Sequence, residues 1–164
     1  MNVLITGASS GIGKALALEF HAAGHTITLA ARRKDLLDAI AAELKERCHV
    51  VVVDLAKQAT DTSWLASVPA VDVLVNNAGI QWVGATAAIG VDEAENMLRL
   101  NLIAPLMLTR AVLPAMLARG AGTIVDVASM AGVAPARGMS WYGASKAGLV
   151  SFSESLRTEL EGTW

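Results

Sequence analysis

Cysteine, tyrosine, phenylalanine and charge are all scarce in this chain of 164 residues, and each scarcity rules something out. A single cysteine, Cys48, excludes an internal disulfide, and its place beside an apolar run marks it as packing. Charged residues make up 17% of the chain, with 13 Lys+Arg against 15 Asp+Glu and a formal net charge of -2. That balance, with no basic stripe, argues against nucleic acid as a partner. The three histidines, His21, His25 and His49, lack metal-ligand spacing, so no metal site is expected. No uninterrupted apolar run approaches the roughly 18 residues of a membrane span, although the mean hydropathy is +0.48, and no membrane partner is expected. The first strand pattern starts at Asn2 and leaves no room for a secretion signal, which makes the cytoplasm the expected location.

What the chain does have is apolar residues, 54% of the total, arranged in alternating patterns. Apolar runs predict strands near 2–6, 26–31, 49–53, 71–76 and 122–128. Helical periodicity predicts helices near 12–23, 34–47, 60–67, 91–118 and 141–161. Gly24 closes the first helix. Val50 to Val53 and Val73 to Val75 are continuous runs of the kind covered on both faces of a sheet. The alternation predicts an α/β fold with a doubly wound parallel sheet, in one domain spanning 1–164 without linker or repeat. Pro105 and Pro114 should kink or shorten the long 91–118 helix.

In such folds ligands bind where the strands end. After the first strand comes Gly7-Ala8-Ser9-Ser10-Gly11-Ile12-Gly13, a glycine turn opening a helix. Gly7 allows the tight turn, Gly11 and Gly13 permit close approach, and the helix's first N–H groups suit a pyrophosphate. The spacing is G-x-x-x-G-x-G, so the commonest dinucleotide fingerprint is not met literally. The second strand ends in Ala31-Arg32-Arg33-Lys34, with no acid to hold ribose hydroxyls. Cations are disfavoured at a helix start, whereas a 2′-phosphate would take guanidinium forks there; solvated surface charge is the alternative. Asp54, after the third strand, suits either an adenine amino group or a turn cap. Asn76-Asn77-Ala78-Gly79 follows the fourth strand, where adjacent amides can tie strand ends together and let backbone run close to a ribose.

Near the other end, the only tyrosine, Tyr142, precedes Lys146 by four residues. On a helix the two share a face, and the nearby ammonium favours phenolate over phenol, which would make an acid–base group usable near neutral pH.

The turn Thr6–Gly13, the segment Asn76–Gly79 and the set Asn101, Ser129, Tyr142 and Lys146, in this order, resemble the short-chain dehydrogenase/reductase family of the main single-domain type. The resemblance extends over the whole chain. It implies a Rossmann-like domain and a hydride transfer between nicotinamide and a carbonyl/alcohol pair. Tyr142 would be the proton donor, Lys146 would tune it and bind the nicotinamide ribose, Ser129 would orient the substrate oxygen, and Asn101 would support a water relay. Read as plain structure, Asn101 would kink a helix and Ser129 would be a turn residue. Cofactor contacts are implied for Gly7, Ser9, Ser10, Gly11, Ile12, Gly13, Arg32, Arg33, Asp54, Leu55, Asn77, Ala78, Gly79, Tyr142 and Lys146. Arg32 in the basic position, with Ala31 in place of an acid, favours NADP; Ser10, where some NADP users carry a second basic group, leaves NAD open. Gln81, Trp82, Met130, Ala131, Arg137 and Trp141 are candidates for lining the substrate pocket.

Family members continue past the Tyr/Lys helix with further strands and a substrate loop, so the chain reads as C-terminally incomplete. An inactive nucleotide-binding or oligomerising fragment is therefore the alternative to an active enzyme. The apolar helices 91–118 and 141–161, which related proteins pair across a two-fold axis, predict a homodimer or homotetramer.

Overall fold

Alternate residues of β1 (Asn2–Thr6) face opposite sides of the sheet and seed two cores. Val3 and Ile5 join a cluster with Ala17 of α1 (Gly11–Ala22) and Leu37, Ile40 and Leu44 of α2 (Lys34–Leu44). Leu4 joins the cluster on the other face, with Ala104, Leu108, Val112 and Met116 of a later helix. The computed structural model describes residues 1–162, so the last two positions of the expected 1–164 domain lie outside it. Its sheet is wholly parallel in the order β3-β2-β1-β4-β5, with β2 at Thr26–Ala31, β3 at Cys48–Val52, β4 at Val73–Asn76 and β5 at Thr123–Asp126. The chain winds outward from β1 to β3, then returns to start β4 on the other side of β1. The crevice between the carboxyl ends of β1 and β4 is the switch point of this α/β sheet.

The expected elements are present with shifted ends. The helix expected over 34–47 stops at Leu44, because Lys45 and Arg47 take left-handed backbone (φ 61 and 55) that ends a right-handed helix. The one expected over 60–67 is only a 3-10 turn, Ser63–Ser67; Asp61 accepts from the Ser63 N–H, and Ser67 Oγ donates to the Trp64 carbonyl, local bonds that compete with a helix. The Val50–Val53 run is not covered on both faces: β3 is an edge strand, and Val52 is 51% exposed.

The long helix is not shortened by its prolines. It runs from Val91 to Arg119 as α3 (Val91–Leu98), a π turn (Arg99–Ile103) and α4 (Ala104–Arg119), with Pro114 inside α4. Pro105 has no N–H to offer the carbonyl four residues back, that of Asn101, so the regular ladder is interrupted where the π turn stands. By length and mean hydropathy this helix would pass for a membrane span. Here its face of Ala104, Leu108, Val112 and Met116 is core. The last helix, α5 (Ser140–Glu159), packs on it so closely that a Cβ on Gly148 would lie 3.0 Å from Leu102.

Candidate functional site at the carboxyl ends of the strands

Thr6 and Asn77 sew the switch point together. Thr6 Oγ donates to the Val75 carbonyl at 3.2 Å and accepts from the Asn77 and Ala78 N–H groups at 3.0 Å each. The Asn77 amide donates to the Thr6 and Gly7 carbonyls at 2.9 and 3.3 Å. Glycine is required here by space as well as by backbone. Gly7 has φ +65, and a Cβ on it would lie 2.8 Å from the Cα of Ala78; a Cβ on Gly13 would lie 2.5 Å from both the Gly7 carbonyl oxygen and the Asn77 amide nitrogen. The first turn of α1 is thereby pressed against the two strand ends. Asn76 performs the matching task on the other side, its amide donating to Asp126 Oδ1 at 2.8 Å and Thr109 Oγ at 3.3 Å.

That first turn has no side-chain cap and no acid, so its N–H groups remain available to an anion. Arg33 reaches across from the end of β2 and donates through Nη2 to Ser9 Oγ at 2.8 Å and Ser10 Oγ at 2.7 Å. Arg32 makes no hydrogen bond or ion pair among the described residues and is exposed. Both arginines line a cavity of about 260 Å³ together with Gly7, Ser9, Ser10 and Ile12. Its far wall is Val53 and Leu55 from the end of β3, with Leu100 from the π turn and Asn77, Ala78 and Gly79 from the end of β4. Gly11, Gly13 and Asp54 do not line it. Gly11 has open space around it, Gly13 is packing, and Asp54 Oδ1 caps its own turn by accepting from the N–H groups of Ala56 and Lys57 at 3.1 and 3.4 Å.

A second cleft, of about 270 Å³, shares Ile12, Asn77, Gly79 and Ile80 with the first and brings in Tyr142 and Lys146. Lys146 is 4% exposed, and its Nζ donates to the Val127 carbonyl at 2.7 Å. Desolvation pulls its pKa below the ordinary lysine value, and the nearby Asp126 carboxylate opposes the shift. Ser129 follows β5 and caps the 3-10 turn Met130–Gly132, its Oγ accepting from the Ala131 N–H at 3.2 Å; the hydroxyl proton is still available to a ligand. Ser129 and Tyr142 meet in a third hollow, with Gln81, Met130 and Ala131. Trp82, Arg137 and Trp141 do not line it. Trp82 folds over Gly84, and Trp141 donates to the Thr86 carbonyl at 3.4 Å.

Asn101 is fully buried and lines none of these spaces. Its side chain accepts from the Ile80 N–H at 2.9 Å and donates to the Ile80 carbonyl at 2.8 Å and to Ser145 Oγ at 3.1 Å. Ser145, also 0% exposed, passes its own proton to the Tyr142 carbonyl at 2.7 Å. The sequence reading missed Ser145, Ile80 and Leu100. A small hydroxyl between Tyr142 and Lys146 was the one available sign of the first.

The residues fit a dinucleotide. An uncapped helix start, two guanidinium groups and an apolar wall line the first cavity. A phenol and a buried ammonium line the cleft that shares four residues with it, and the Ser129 hydroxyl lines the hollow beyond, which also holds the phenol. No group of three or more His, Cys, Asp or Glu suited to a metal occurs among the described residues. Comparison with known proteins gives a family model described as short chain dehydrogenase that matches residues 1–163. The NADP-dependent 3-hydroxy acid dehydrogenase of Salmonella typhi is 40% identical over 169 aligned positions, covering 99% of this chain and 68% of the relative. Among solved structures, the closed form of a serine dehydrogenase complexed with NADP+ superposes with a TM-score of 0.93 at 36% identity, covering 99% of this chain and 67% of its own. A short-chain dehydrogenase from Sphingobium yanoikuyae in complex with NADPH gives 0.92 at 37% identity, covering 99% and 66%.

Proposed function

The chain belongs to the short-chain dehydrogenase/reductase family, and from that premise we propose that it is a single-domain, NADP-dependent oxidoreductase acting on a small carbonyl/alcohol pair. The observation that carries the proposal is the adjacency of the two spaces: the cavity holding Arg32 and Arg33 and the cleft holding Tyr142 and Lys146 are lined in common by Ile12, Asn77, Gly79 and Ile80. One molecule can therefore touch both ends at once.

Bound there, the nicotinamide would supply or accept hydride. The chain's own residues do the rest. The uncapped start of α1, which enters the cavity at Ile12, would hold the pyrophosphate, and Arg32 with Arg33 and the two serines would hold a 2′-phosphate. Ser129 donates its hydroxyl proton to the substrate oxygen, and Tyr142 gives that oxygen its proton in reduction or removes it in oxidation. Lys146, one turn along the same face, offers a buried positive charge to the phenolate that remains. Asn101 acts by holding: it locks the Ile80 backbone of the groove floor and, through Ser145, the start of the Tyr/Lys helix. The proposed location is the cytoplasm. The proposed assembly is a dimer or tetramer through the long helix and α5, on which Leu98, Leu106, Leu113 and Phe152 are only partly buried.

Calorimetric titration, paired with nicotinamide oxidation against a panel of carbonyl compounds, tests the proposal. NADPH should bind about tenfold or more tightly than NADH, with Arg32→Ala removing most of that difference, since a phosphate–guanidinium pair is a charge-assisted bond. A preference for NADH, or nucleotide binding without turnover of any carbonyl, would overturn the cofactor or the enzymatic assignment respectively.

A further inference from the structure

Arg99 opens the π turn, and its guanidinium leaves the helix to reach the turn after β3. Nε donates to the Ala56 carbonyl at 2.7 Å and Nη2 to the Lys57 carbonyl at 3.2 Å. The N–H groups of the same two residues are held by Asp54. The segment 54–57 is thus gripped from both sides, its donors by a carboxylate and its acceptors by a guanidinium. Leu55 lies between the grips, 4% exposed, and with Val53 it forms the apolar wall of the cavity that also holds Arg32 and Arg33. The ion pair available within the helix does not explain the contact, because Glu95 lies 3.9 Å away and the carbonyl bonds are shorter.

The neighbours of Arg99 in the π turn extend the pattern. Leu100 lines the same cavity and shares a core cluster with Leu55, and Asn101 fixes Ile80, which also lines the Tyr142 cleft. Three consecutive residues therefore address, in order, the wall of the nucleotide slot, its interior and the floor leading to the phenol. Such π turns recur at functional sites because they re-aim side chains that a regular helix would stack.

We infer that Arg99 is a positioning residue for the adenine end of the dinucleotide site, fixing the turn 54–57 so that Val53 and Leu55 present a preformed wall to a purine. This rests on the nucleotide reading above. The test uses the full chain, with adenosine 2′,5′-bisphosphate as probe of one end and reduced nicotinamide mononucleotide as probe of the other. Arg99→Met keeps the aliphatic stem and should weaken the bisphosphate by about tenfold, as expected for loss of charge-assisted hydrogen bonds that hold a loop, while leaving the mononucleotide within about twofold. Arg99→Lys, which can reach one carbonyl, should recover part of the loss. Amide exchange at Leu55, Ala56 and Lys57 should quicken in Arg99→Met and not at Ile80. Equal bisphosphate binding by wild type and both variants would overturn the inference. So would equal loss of both probes with a lowered Tm, which would mark Arg99 as a general stabiliser. If the wild type binds no bisphosphate at all, the nucleotide reading itself fails, and the inference falls with it.

Discussion

Lys146 carries a charge into a place where water cannot reach it freely, and the protein bears the cost. Its pKa is pulled down in the folded chain by desolvation, partly offset by Asp126. Between that lowered value and the ordinary lysine range, the unfolded chain binds the proton and the folded chain does not, so stability should rise as pH climbs through this window. Replacing Lys146 by Met should flatten that rise, read as denaturation midpoints across the alkaline range. An unchanged pH dependence would mean the ammonium is better solvated than its burial implies. At this scale the sequence was informative wherever chemistry is local. Tyr142 and Lys146 share a helix face by spacing alone, and Arg32 and Arg33 stand after a strand end. Contacts made across the fold were illegible: Asn101 and Ser145 lie 44 residues apart, and Arg99 and Ala56 lie 43. Of the two readings of Asn101, the irregular helix stands at the residue itself, in the π turn, while its side chain is spent on Ile80 and Ser145.

Gly13 shows how the elements hold the site. Its missing side chain lets α1 rest on the Gly7 carbonyl and the Asn77 amide, which joins helix, β1 and β4 in one contact. Gly13→Ala should cost about 1–3 kcal/mol from overpacking against backbone that cannot yield, and should weaken NADPH binding because the anion-facing turn is displaced. Denaturant melts and calorimetry on the same sample check both parts; a variant as stable as wild type would show that the turn gives way cheaply. Strand identities were readable because apolar runs such as Val73–Val75 occur where a strand is buried on both faces. Boundaries were not, since the left-handed Lys45 and the polar side chains around Ser63–Ser67 act through local geometry that hydrophobic periodicity does not encode. The π turn was also hidden. Pro105 announced an irregularity, but not that three successive side chains would be aimed at three parts of one groove.

For the whole molecule, the parallel order β3-β2-β1-β4-β5 gathers residues from every part of the chain along one edge. Arginine comes from β2, an apolar wall from β3, amides from β4, a hydroxyl from the end of β5 and a phenol from α5. Light scattering at micromolar concentration should give at least twice the mass of one chain, because the long helix keeps Leu98, Leu106 and Leu113, and α5 keeps Phe152, only partly covered by one chain; a monodisperse monomer would refute the proposed assembly. The proposed activity of this edge is hydride transfer with Tyr142 as the proton donor. It is tested most directly by following deuterium from 4-deuterated NADPH into an alcohol product by mass spectrometry, in wild type and Tyr142→Phe, with NADPH affinity measured alongside. The wild-type product should carry label, the variant should fall by at least about 100-fold, as for loss of a general acid, and NADPH affinity should be nearly equal in both. Label transferred equally by both proteins, or by neither while both bind NADPH, would contradict it.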